Sequence, residues 1–202
     1  MKEVRIYVEG GGDREETRAA IRRGMGEFLE PLRRLARRRR IGWKIVACGS
    51  RNAAFGAFRN ALKMHPGAWC VLLVDSEAPV TTSPWDHLRR RDGWDPPGVG
   101  DECCHLMVQV MEAWLVADIE TLASFYGSGF RRTAIPKTSD VEQIDKAKLE
   151  QALIRATRDS SRGRYHKIRH GGRLLAVIDP TQVRQRAPHC DRLFVALTNK
   201  IH

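Results

Sequence analysis

The uninterrupted apolar run from Trp69 to Val74 constrains this chain most. A strand with no polar face must be covered on both sides, and sheets covered on both sides are as a rule parallel, with helices as their crossovers. The flanking pattern agrees. Val4, Ile6 and Val8 alternate with other residues ahead of Gly10, Gly11 and Gly12, which predicts a short strand entering a tight turn. From Arg14 to about Arg40, Ala19, Ala20, Met25, Phe28, Leu29, Leu32 and Leu35 fall near helical spacing, with Pro31 expected to kink or divide the helix. Trp43 to Ala47 reads as a strand, and Asn52 to Met64 as a helix capped by Ser50 or Asn52. Strand, helix, strand, helix, strand is the order of a parallel α/β sheet.

Further along, Ala78 to Asp101 is rich in Pro, Trp and charge and reads as a long ordered lid. His105 to Val110 predicts a fourth strand and Glu112 to Tyr126 a helix. Beyond Gly127 and Gly129 the pattern predicts a helix over Lys146 to Arg158, a basic loop over Ser160 to Gly172, a short apolar segment at Leu174 to Ile178 and a terminal helix over Asp191 to Ile201. The expected organisation is an α/β domain over residues 1–126 with a basic C-terminal extension, residues 127–202, packed on it.

Composition narrows the partners. Lys and Arg number 35 against 24 Asp and Glu, a formal charge of +11, which favours a polyanion through counterion release. The five cysteines are odd in number and lack CxxC spacing, so neither a disulfide framework nor a zinc knuckle is expected, and reduced thiols in a cytoplasm fit best. No apolar stretch approaches the length of a membrane span.

Both flanking strands end in acid: Glu9 after the first, Asp75 and Glu77 after the third. Parallel strands open their carboxyl ends onto one crevice, so these acids are expected to converge on a hard cation, Mg²⁺ or Mn²⁺. Glu112, just after the fourth strand, is a candidate further ligand or general base. Asp118, six residues on, faces away and is expected to be structural. The glycine turn after Glu9 fits neither G-x-G-x-x-G nor a P-loop. Arg162, Arg164, Tyr165, Lys167 and Arg169 mix cations with an aromatic ring, a mixture able to hold a phosphodiester and stack a base. Lys167 or His170 is expected to contact the scissile phosphate. A solvated basic loop is the alternative.

Strand-Glu-Gly, helix, strand, helix, strand-Asp-x-acid, strand is similar to the Toprim domain of topoisomerases, primases and OLD-type nucleases. That resemblance implies a Rossmann-like, mostly parallel sheet in which Glu9 and the Asp75-x-Glu77 pair bind Mg²⁺ or Mn²⁺, with glutamate in place of the family's second aspartate. More closely, the chain resembles an uncharacterised bacterial Toprim-related family. The blocks that carry this are Tyr7 to Asp13, Leu73 to Glu77, Arg91 to Trp94, Met107 to Asp118, Tyr165 to Lys167 with His170, and Pro188 to Cys190. It implies a metal-dependent nuclease acting on DNA rather than RNA, in antiphage defence, with an ABC- or SMC-type ATPase as partner. A non-catalytic nucleic-acid- or ATPase-binding module on the same scaffold is the other expectation.

Overall fold

The computed structural model describes residues 1–202. Its strands and helices are β1 (Glu3–Val8), α1 (Glu15–Phe28), α2 (Glu30–Arg38), β2 (Gly42–Ala47), α3 (Arg51–Met64), β3 (Ala68–Asp75), α4 (Pro84–Asp92), β4 (Cys104–Met107), α5 (Glu112–Ala117), α6 (Ile119–Tyr126), α7 (Lys146–Thr157), α8 (Lys167–Leu175), α9 (Pro180–Arg186) and α10 (Pro188–Ile201). The four strands form one parallel sheet in the order β2-β1-β3-β4, flanked by helices, a Rossmann-like arrangement. From β1 the chain steps to one side for β2, then crosses back so that β3 lies on the other side. The reversal makes the gap above β1 and β3 the place where open α/β sheets hold ligands.

β3 is buried along nearly its whole length, as its apolar run requires; β2 and β4 are the edge strands, β4 buried and β2 partly exposed. Pro31 sits in the first turn of α2, where a missing N–H costs nothing, so it starts a new helix after Leu29 rather than kinking one. Ser50 caps α3, accepting from the Ala53 N–H at 3.3 Å.

Three expectations change. The segment after Ala78 is not a lid: it holds α4, capped by Ser83 and closed by Gly93, and Trp85 and Trp94 bury themselves against Phe55 of α3. The helix expected over Glu112 to Tyr126 is two, because Asp118 turns its carboxylate to cap α6, accepting from Thr121, and also accepts from Asp179. Its structural role is thus confirmed. Much of the expected basic loop is α8, whose Leu174 and Leu175 are fully buried.

α8 and α10 join the main core rather than hanging from it, with Phe28 of α1 stacked on Trp114 and edge-on to Phe194. α8 crosses α1 at glycines: a Cβ on Gly172 would stand 2.7 Å from the Ala20 backbone, and one on Gly24 would overlap the Gly172 carbonyl oxygen. All five cysteines are free, and no helix is long and apolar enough to cross a membrane.

Candidate metal centre

Glu9 follows β1 and Asp75 ends β3, two strands in direct register, and the Glu9 N–H donates to the Leu73 carbonyl at 3.0 Å. Adjacency is therefore enforced by the sheet's own hydrogen bonds. The turn beyond Glu9 passes through Gly10, Gly11 and Gly12, all at positive φ. At Gly11, a side chain would also strike the backbone of Arg18, so the tight return into α1 needs glycine there.

Glu77 reaches the site from a turn and not from a strand: β3 ends at Asp75, and Glu77 sits at φ +62° with its N–H donating to the Gln109 carbonyl at 2.7 Å. A non-glycine residue there is strained by on the order of 1 kcal/mol, which the surrounding hydrogen bonds must offset. Even so, Glu9, Asp75 and Glu77 each bring a carboxylate oxygen within 4.8 Å of the others. This all-oxygen, three-carboxylate donor set fits Mg²⁺ or Mn²⁺.

Cations brace every one of these acids. Lys167, the first residue of α8, places its ammonium 3.6 Å from Asp75 Oδ2 and 3.3 Å from Glu112 Oε2. Lys146 pairs with Glu77. Arg51, at the start of α3, approaches Glu9 Oε2 at 3.3 Å and also donates to the Asp75 carbonyl oxygen. Sequence reading missed Arg51 and Lys146 as members of the site. The signal for Arg51 lay in the Arg91 to Trp94 block: Asp92 grips its guanidinium at 2.6 and 3.0 Å, and Trp94 underlies it at 5.0 Å.

Burial, opposed by Lys167 and reinforced by Glu9 and Glu112, pushes the Asp75 carboxyl up to about 7. Burial also raises Glu9, against the pull of Arg51. Lys167 goes the other way: burial works against its charge, but Asp75 and Glu112 outweigh it and hold the ammonium above its ordinary range.

The remaining site expectations divide. Glu112 is not one of the three clustered acids; it stands across Lys167 from Asp75, one oxygen accepting from the Tyr165 hydroxyl at 2.8 Å and the other from Lys167. Tyr165 is itself buried, so its ring offers no face on which a base could stack. His170 is also buried, and its Nδ1 accepts from the His166 N–H at 3.2 Å and lies 3.1 Å from the Tyr126 hydroxyl; burial lowers its pKa. It braces α8 rather than facing a phosphate. Arg162 lies over the Phe125 ring at 4.6 Å, while Arg164 and Arg169 line an open cleft of about 520 Å³.

That cleft is one of three in series. A narrow cleft of about 190 Å³ is walled by Glu9, the glycine turn, Asp75 and Lys167. Across Lys167 lies a second, of about 450 Å³, reaching Glu112, Lys146 and Tyr165. The second shares Ile154, Tyr165 and His166 with the arginine-lined third. The clefts thus adjoin one another, from the clustered acids to the clustered cations, with Lys167 standing between the first and the second.

A protein-family model described as Domain of unknown function (DUF4276) matches residues 8–198. No curated protein and no solved structure matches the chain.

Proposed function

The chain belongs to the DUF4276 family, and we propose that it is a divalent-metal-dependent nuclease of Toprim type. One observation carries the reading: three carboxylates, from the ends of two adjacent strands and the turn after the second, converge at the sheet's topological switch point, beside the half-exposed Lys167. Glu9, Asp75 and Glu77 would hold the ion. Bound there, Mg²⁺ or Mn²⁺ supplies polarisation of a phosphoryl oxygen and a more acidic water. Lys167 keeps its proton, so its part is to pair with charge on a phosphate oxygen and not to act as a base. Glu112 and Tyr165 orient that ammonium from the far side. Arg164 and Arg169 would carry the backbone of a bound strand along the third cleft. DNA as the substrate, antiphage defence as the setting and an ABC- or SMC-type ATPase as the partner rest on the family resemblance.

Purified protein with supercoiled plasmid and Mn²⁺ should nick or cut it, and Glu9→Ala and Asp75→Ala should each lower the rate by about 100-fold or more. Cleavage that persists in both variants would overturn the assignment. For that cleft, Arg164→Ala with Arg169→Ala should weaken DNA binding and flatten its dependence on salt, reducing the logarithmic slope by about 2. An unchanged slope removes these arginines from the interface.

A second reading is favoured by the same ion pairs. Arg51, Lys167 and Lys146 already neutralise the acids, as they would in a scaffold that binds nucleic acid or an ATPase without catalysis. Mn²⁺ separates the two readings, because only a working centre gains thermal stability from it.

A further inference from the structure

We propose that Arg51 is a positioning residue that sets which cation the acidic cluster accepts, by occupying one oxygen of Glu9 and leaving a single oxygen free. The proposal rests on the reading of the cluster as a metal centre. Glu9 Oε2 takes two donors, the Arg51 guanidinium at 3.3 Å and the Asp75 N–H at 3.1 Å, while Oε1 takes none. Its neighbours follow the same rule. Asp75 Oδ1 accepts from the Met111 N–H at 2.8 Å, and Glu77 Oε2 is engaged by Lys146.

Glu9 and Glu77 therefore each offer one oxygen, Asp75 offers the Oδ2 that Lys167 approaches at 3.6 Å, and the remaining positions fall to water and substrate. Mg²⁺ and Mn²⁺ suit such a site, whereas Ca²⁺ gathers more oxygens and often takes both from one carboxylate. What keeps Glu9 from offering both is a guanidinium that cannot drift. Asp92 grips its Nε and Nη2, and Trp94 supports its face while stacked on Phe55 at 4.3 Å. Arg51 and Asp92 are mostly shielded from water, so an arriving ion meets a fixed cation. The Arg91 to Trp94 block thus serves the metal centre through Arg51 without reaching it.

The experiment compares dissociation constants for Mn²⁺ and Ca²⁺, by calorimetry on chelator-stripped protein, in wild type, Arg51→Met and Asp92→Asn. Loss of the guanidinium leaves Glu9 Oε2 with the Asp75 N–H as its one donor and a lone pair open to an ion, so Arg51→Met should shift the ratio of affinities towards Ca²⁺ by about fivefold or more. Asp92→Asn, which keeps Arg51 but loosens it, should shift the ratio the same way by about twofold, and it decides the matter if Arg51→Met fails to fold. A folded variant whose affinities for both ions rise or fall together overturns the proposal, since charge or stability alone would then explain it. Wild type that binds neither ion overturns the metal-centre reading, and this proposal with it.

Discussion

Asp75→Asn should make the metal-free protein more stable at pH 8, by about 2 kcal/mol, and should abolish its stabilisation by Mn²⁺. The first effect follows from where Asp75 sits. Its carboxyl is buried beside Glu9 and Glu112, and its pKa stands at about 7 despite Lys167, against about 3.9 in an unfolded chain. A folded pKa raised above the unfolded one stabilises fully only below the unfolded value, and that contribution drains away as pH climbs from about 4 to about 7. At pH 8 the ionised side chain costs on the order of 4 kcal/mol relative to its neutral form. Asparagine copies the neutral form and keeps an oxygen for the Met111 N–H, while its amide NH₂ facing Lys167 returns part of the gain.

Urea unfolding in chelator at pH 5 and pH 8 reads this directly. The advantage of the variant should be near zero at pH 5 and plain at pH 8, and equal stabilities at pH 8 would refute the account. Adding Mn²⁺ at about 100 times its dissociation constant should restore about 2.7 kcal/mol to wild type and nothing to the variant. Because the ion must displace the proton, that restoration should weaken as pH falls below 7.

Gly24→Ala and Gly26→Ala should move stability in opposite directions, although both lie on α1 two residues apart. A Cβ on Gly24 would overlap the backbone of Gly172, which cannot rotate away, so α8 must shift bodily and the expected loss is about 3 kcal/mol. A Cβ on Gly26 meets nothing within 4 Å, and alanine there should add about 0.5–1 kcal/mol through helix propensity. Denaturation midpoints of the two variants settle it: two shifts of the same sign would mean that α1 and α8 do not pack as described. Since α8 begins at Lys167, Gly24→Ala should also loosen the pairing of that ammonium with Asp75.

Local pattern carried much of the fold. Continuous burial of Trp69 to Val74 demanded a covered parallel sheet, and the helices placed between strands by spacing are present. Where pattern failed, a distant partner had intervened. Basic composition concealed α8, because its buried face is made of His170, Gly171 and Gly172 as well as Leu174 and Leu175, and the glycines show their use only where α8 packs on α1. Prolines and tryptophans made the segment after Ala78 look like a lid, though its tryptophans are buried against α3. Tyr165 and His170 carry the chemistry of a binding loop, but hydrogen bonds to Glu112 and Tyr126 turn them inward.

By itself the sequence determined that this chain folds around a parallel sheet and that two of its strands end in carboxylates, because strand burial and strand ends are set by neighbouring residues. Only the tertiary structure decided that the strand order sets Glu9 beside Asp75, that a left-handed turn returns Glu77 to them, and that Arg51, Lys146 and Lys167 brace the three. Those are pairings between residues far apart in the chain. Their geometry follows from register and helix packing, which no local spacing encodes.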